Sequence, residues 1–231
     1  MTRDELIKQI IAGGYLKTPE IIGAFCAVDR AYFVGEENLN LAYEDMALPI
    51  GYGATISQPA VVAFMFEKLQ PRAGDKILDI GSGSGWTSAM LAEVISNKRQ
   101  GTRDKRQGIS DKGQETSDKG YVTAIEIVPE LAERARATVA KHYPELARRI
   151  TFIAGNATHG YPAGAPFDRI IAAASLADEI PEAWKEQLAV GGRIVAPVGN
   201  AIHLVVKTGE NTYKEEVSPG FVFVPFQYDG A

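Results

Sequence analysis

Cysteine is nearly absent: the 231-residue chain has one, Cys26. No disulfide can form within the chain, which excludes a small disulfide-stapled fold. Cys26 lies in the apolar run "IIGAFCAVDRAYF" without a cysteine-protease context, and reads as a buried packing residue rather than a nucleophile. Histidine is scarce too, with three copies. His142 falls on a polar helix, His159 in a turn and His203 in a strand. They share no metal-ligand spacing, so no metal site is expected. No apolar run approaches the length of a membrane span. The opening "MTRDELIKQIIAGG" is amphipathic and charged, without the apolar core and cleavage site of a signal peptide. The expectation is a cytoplasmic protein with no membrane partner. An excess of positive charge is also missing. Lys and Arg number 24 against 29 Asp and Glu, a net charge of -5, which gives no general reason to expect nucleic-acid binding. Nothing in the sequence specifies an oligomer, and a monomer is the simplest expectation.

What the chain has is an ordinary globular composition, 45% hydrophobic and 23% charged, at a length suited to one large domain spanning 1–231. Residues 4–12, 19–28 and 60–69 have helical periodicity. Thr18-Pro19 reads as a helix start, with Thr18 as N-cap and proline in the first turn. The stretch 1–59 reads as an N-terminal helical extension ending in a loop that contacts substrate. Strands are expected at 76–80, 121–127, 150–156 and 167–175, alternating with helices at 86–95, 129–143 and 181–188. Three more strands, at 191–199, 201–209 and 220–226, follow without an intervening helix. This alternation specifies an α/β fold, a mostly parallel doubly wound sheet with an antiparallel edge.

One segment interrupts the pattern. Residues 99–119 read "RQGTRDK", "RQGISDK" and "GQETSDK", one seven-residue unit in three copies. A heptad invites a coiled-coil reading, but no apolar a/d pair recurs. The polar composition cannot bury enough surface to offset ordering entropy, so a mobile inserted loop is expected. A duplication in the coding sequence accounts for it more simply than a binding element.

"DIGSGSGW" (79–86) follows the first core strand and opens a helix. Glycines at 81, 83 and 85 let the backbone approach a ligand. The dinucleotide fingerprint G-x-G-x-x-G would need glycine where Trp86 stands, which argues against a nicotinamide dehydrogenase. The carboxylate of Asp79 suits a positively charged or hydroxyl-rich ligand instead of a pyrophosphate. S-adenosyl-L-methionine (AdoMet) is both, with a sulfonium, an ammonium and a ribose diol. Glu126 ends the next strand, where a carboxylate can hold both ribose hydroxyls. Its distance from Gly81 becomes ordinary once the repeat block is removed. Asn156 closes the third strand, where it can reach an adenine edge with Ala157 leaving room for the ring, or simply serve as a turn residue.

The segments "LAYEDMALPIGYGATISQP", "ILDIGSGSGW", "VTAIEIVPELAERAR", "GNATHGYP", "FDRIIAAASLADEIPEAW" and "LAVGGRIVAPVG" resemble the protein-L-isoaspartate O-methyltransferase family. The resemblance runs from about residue 20 to 226, the repeat excepted. "LPIGYGATISQP" is its most specific part; the glycine-rich turn alone marks only a class I methyltransferase. The resemblance implies a Rossmann-like class I fold and transfer of the AdoMet methyl group to the α-carboxylate of L-isoaspartyl residues in damaged proteins and peptides, initiating repair. The family's catalytic serine falls on Ser57. Its cofactor contacts fall on Pro59, Ala60, Val61 and Val62, on Gly81, Ser82, Gly83, Ser84 and Gly85, on Glu126 and Ile127, and on Asn156 and Ala157. Thr55, Ile56, Ala174, Ser175 and Val198 are expected to line the substrate cleft. The family usually has aspartate-glycine where this chain has Asn156-Ala157. Competing readings are a carboxyl methyltransferase of a small acid and a non-catalytic AdoMet-binding module. A carboxylate nucleophile needs no strong base, so Ser57 is expected to orient rather than to attack, or else to cap the following helix.

Overall fold

The structure is a computed structural model, which describes residues 1–96 and 120–227. The repeat block lies outside the described residues. Two helices begin the chain, α1 (Arg3–Ala12) and α2 (Pro19–Ala27). A hairpin follows, β1 (Leu48–Gly51) and β2 (Ala54–Ile56), and leads into α3 (Pro59–Leu69). The core continues through β3 (Lys76–Ile80), α4 (Trp86–Ser96), β4 (Tyr121–Glu126), α5 (Pro129–His142), α6 (Pro144–Ala147) and β5 (Ile150–Ala154). It ends with β6 (Phe167–Ala172), α7 (Glu182–Glu186), β7 (Leu188–Val198), β8 (Ala201–Gly209) and β9 (Thr212–Pro219).

The core strands form one seven-stranded sheet in the order β5-β4-β3-β6-β7-β8-β9. The first four pairings are parallel and the last two antiparallel. The central strands are buried on both faces, as their apolar runs require: Ile77, Leu78 and Ile80 of β3 and Val122 and Ala124 of β4 are inaccessible. Chain order reverses between β3 and β6. Open α/β sheets bind ligands beyond the carboxyl ends of such strands.

Several expectations are corrected. Residues 220–226 are not a strand of the sheet. Gly220 has φ +97°, which turns the chain off the edge, and the segment runs on to a single bridge between Ser175 and Pro225. The edge is instead β9, "TYKEEVSP", exposed along most of its length. Its charges hid it, because an edge strand wet on both faces carries no apolar alternation. The β1–β2 hairpin also went unseen, its strands being short. Cys26 is exposed, not buried. The buried stripe of α2 is Ile21, Ala24 and Phe25, and Cys26 falls one position beyond it. Thr18 does stand at the N-cap but makes no capping bond; its hydroxyl donates to Glu67 of α3 at 2.7 Å. Glu67 also accepts the amides of Lys17 and Thr18, which pins the α1–α2 turn to α3.

Candidate active site

The turn from β3 into α4 is held open from below. The Gly81 and Ser82 amides donate to the Ile125 carbonyl at 2.8 and 3.1 Å. The three glycines are left-handed, at φ +73°, +53° and +84°, but not for one reason. Gly81 and Gly83 line the cavity above the turn. At Gly85 a Cβ would lie 2.9 Å from Ala135 Cβ, so that glycine lets α4 and α5 pack closely.

Glu126 is buried, 6% exposed, at the end of β4. One carboxylate oxygen accepts the Gly83 amide at 2.8 Å and the other the Val128 amide at 3.0 Å. Each oxygen keeps capacity for a further donor. The cavity beside it encloses about 200 Å³. Its walls include Thr55, Gly81, Gly83, Glu126, Ile127, Ala157 and Ala174. The hairpin tip, Tyr52 to Ala54, and the C-terminal Val224 to Gln227 complete it. The 224–227 wall was not anticipated, whereas the Gly51-Tyr52-Gly53 segment reads from its glycines as a loop able to close over the cofactor. The hairpin tip carries a signal, since Gly51, Tyr52 and Gly53 are all left-handed; the C-terminal wall carries none.

Asp79 stands apart. It is inaccessible beneath the turn and lines none of the three cavities described here. One oxygen accepts the Ser88 and Thr87 hydroxyls at 2.6 and 3.1 Å, and the other is buried without a partner. Burial pushes its carboxyl up to about 6; the two hydroxyls oppose the shift and the Glu126 charge adds to it. A proton held more tightly in the folded state stabilises it fully below the unfolded pKa near 4, and that contribution is lost as pH rises through about 6. The expected result is a stability difference between wild type and Asp79→Asn that falls by about 2 kcal/mol from pH 4 to 7. Urea denaturation without cofactor, at fixed ionic strength, reads it; a pH-independent difference would contradict the assignment.

Asn156 does not line the cavity, although its neighbours Gly155 and Ala157 do. Its side-chain oxygen accepts the Thr158 amide at 2.6 Å, a turn contact, and its Nδ2 is buried without a partner. The carbonyl expected to face adenine accepts a local turn amide instead, with one lone pair left over.

Ser57 lies where two further cavities meet. A small one is lined by Thr55, Ile56, Ser57, Gly81 to Ser84 and Ala173. An outer one of about 270 Å³ is lined by Thr55, Ser57, Gln58, Val61, Ala173 and Val222 to Val224. Thr55 borders all three cavities. Ser57 does not cap α3; Gln58 holds the N-cap position, and Asp45 accepts the Ala60 amide at 2.8 Å. Pro59, Ala60 and Val62 are buried along α3. Val198 is buried in the core and Ser175 donates to the Gly199 carbonyl at 2.8 Å. None of these five lines the three cavities. Two of the histidines make local contacts: His142 stacks on Tyr32 and His203 pairs with Glu215 at 2.6 Å. Among the described residues no cluster suited to a metal occurs, and no helix is long and apolar enough to cross a membrane.

The sequence reading passed over Arg30. Although 2% exposed, it donates to the carbonyls of Ala42, Met46 and Ser57 at 2.8, 2.9 and 3.1 Å, and to Ile56 at a longer 3.5 Å. Trp86 lies 5.4 Å from it. Burial lowers its pKa to about 10 against the pull of Asp45, so it remains a cation at neutral pH. An arginine inside an apolar run was the available signal.

The residues present fit AdoMet. Two glycines expose backbone to the cavity, Glu126 offers two half-used oxygens for a diol, and Asp79 and Glu126 supply negative charge for a cation. Comparison with known proteins agrees. The family model for protein-L-isoaspartate(D-aspartate) O-methyltransferase matches residues 1–229. A protein-L-isoaspartate O-methyltransferase of Ignicoccus hospitalis is 39% identical, over 96% of this chain and 95% of its own. Its counterpart in Hyperthermus butylicus is 37% identical, over 96% and 87%. Among solved structures, a Plasmodium falciparum protein described as a protein-L-isoaspartate O-methyltransferase, crystallised with S-adenosyl-L-homocysteine, superposes with a TM-score of 0.80. It covers 98% of this chain and 99% of its own at 21% identity, a likeness that carries the fold.

Proposed function

The chain belongs to the protein-L-isoaspartate(D-aspartate) O-methyltransferase family, and from that premise we propose that Ser57 and Thr55 receive the acceptor carboxylate beside the cofactor cavity. The activity is methyl transfer from AdoMet to the α-carboxylate of L-isoaspartyl residues in proteins and peptides. The observation that carries the assignment is the position of Ser57, shared by the small cavity over the glycine turn and the outer one.

AdoMet supplies, when bound, a methyl group activated by its sulfonium. The chain's own residues hold, orient and dry the reactants. Glu126 receives the ribose hydroxyls, while Gly81 and Gly83 leave the backbone bare. Ile127 and Ala157 give the apolar wall for the base. Asp79 contributes a fixed negative charge from behind the turn rather than a contact. The acceptor carboxylate is already ionised at neutral pH, so no group need remove a proton. It must shed water and stand in line, which the Ser57 hydroxyl and neighbouring amides accomplish. Ala173 and Val222 to Val224 form the outer apolar wall against which a peptide would lie. In this reading the protein is one domain, monomeric and cytoplasmic, without a nucleic-acid partner; its net charge of -5 supports the last point.

The test is methyl transfer from labelled AdoMet to an isoaspartyl peptide and to the same peptide with normal aspartate. Label in the isoaspartyl peptide alone is expected. Equal labelling, or label only in small carboxylic acids, would overturn the reading.

A further inference from the structure

Arg30 makes four hydrogen bonds and all go to backbone carbonyls. Two lie in the 42–46 segment and two at the end of β2, so one planar group ties the N-terminal extension to the Ser57 loop. In a trans peptide the N–H points opposite to the C=O. Arg30 occupies the carbonyl side of the peptides joining Ile56 to Ser57 and Ser57 to Gln58. The amides of Ser57 and Gln58 are therefore turned away from it. Neither donates to a described residue, and both residues border the outer cavity. A hydrogen bond to one end of a peptide strengthens the donor at the other. Asp45 fixes the same segment from its far side, accepting the Gln58 side chain at 3.1 Å and the Ala60 amide at 2.8 Å.

We infer that Arg30 is a positioning residue for methyl transfer: it grips the carbonyl side of the Ser57 and Gln58 peptides, so that their amides and the Ser57 hydroxyl form one preorganised receptor for the acceptor carboxylate. This rests on the carboxylate site proposed above. Arg30 does not touch substrate. It sets the angle of the groups that do, and its face-on contact with Trp86, the first residue of α4, ties that angle to the glycine turn.

Arg30→Met keeps the buried bulk but loses the fork. Turnover of an isoaspartyl peptide is expected to fall about 100-fold, the scale of a misplacement near 1 Å, with S-adenosyl-L-homocysteine affinity within about 3-fold of wild type by calorimetry. Arg30→Lys keeps charge and stem but presents a single ammonium; it should bind S-adenosyl-L-homocysteine normally and remain impaired by about 10-fold or more. A merely structural role would lower cofactor affinity, melting temperature and turnover together. Arg30→Lys decides the matter if Arg30→Met does not fold. Near-wild-type turnover in Arg30→Lys, or a turnover loss matched by an equal loss of S-adenosyl-L-homocysteine affinity, would overturn the inference alone. Wild type that fails to methylate the isoaspartyl peptide would overturn the carboxylate site itself.

Discussion

Ser57→Ala is expected to lower turnover by about 100-fold while leaving S-adenosyl-L-homocysteine affinity and melting temperature nearly unchanged. The reasoning turns on charge. An anionic carboxylate meets a cationic sulfonium, and both charges fade as the methyl group moves. A donor on the attacking oxygen would grip the reactant more firmly than the transition state and slow the reaction. Ser57 therefore helps only by holding the other oxygen and fixing the angle of approach. Its contribution is alignment, not the stabilisation of growing charge seen at an oxyanion hole. Two consequences separate these roles. The Ser57→Ala defect should be constant from pH 6 to 8, since neither a serine hydroxyl nor an isoaspartyl carboxylate titrates there. Ser57→Thr, which keeps the hydroxyl, should recover much of the loss. Stability should hold because Asp45, not Ser57, satisfies the first turn of α3. Steady-state kinetics with an isoaspartyl peptide, beside thermal melts, measures all of this; turnover of Ser57→Ala within 3-fold of wild type would remove Ser57 from the mechanism.

The sheet was legible in the sequence wherever burial on two faces wrote a continuous apolar run. "KILDI" and "YVTAIE" could hardly be anything but central parallel strands. The glycine turn and Glu126 were legible for a related reason, since left-handed backbone and a strand-end carboxylate leave residue-type signatures. What failed to show were features defined by partners remote in the chain. β9 is paired on one side and wet on the rest, so its composition resembles a loop. The cavity wall at 224–227 depends on Gly220 turning the chain back toward Ser175. Asp79 could be recognised as important but not located, because the spacing cannot say whether a carboxylate lies in the cavity or beneath the turn. Its Oδ contacts to Ser88 and Thr87, in the first turn of α4, decide for beneath. An arginine in an apolar run could flag Arg30 as buried, but not what it holds, because its hydrogen-bond partners are backbone carbonyls, which no side-chain pattern records.

Glu126→Ala is expected to weaken S-adenosyl-L-homocysteine binding by about 3 kcal/mol, the scale of a pair of hydrogen bonds to a charged group, or about 100-fold in Kd. Part of the loss would come from the protein itself. Glu126 accepts the Gly83 amide from the glycine turn and the Val128 amide from the entry to α5. Truncation would remove the proposed diol ligand and also release the cavity floor that Gly83 forms. Glutamine would not be a mild replacement here. A carboxylate accepts at both oxygens, whereas an amide must present its NH2 to one of two backbone N–H groups that are themselves donors. In whichever orientation Glu126→Gln settles, one donor faces another in a buried site. The expected order of affinity is therefore wild type well above glutamine, with glutamine close to alanine. Replacement by aspartate should also fail, being one methylene too short to reach both amides from the end of β4. Titration calorimetry with S-adenosyl-L-homocysteine ranks the series. A glutamine variant binding as tightly as wild type would mean that the ribose is held elsewhere.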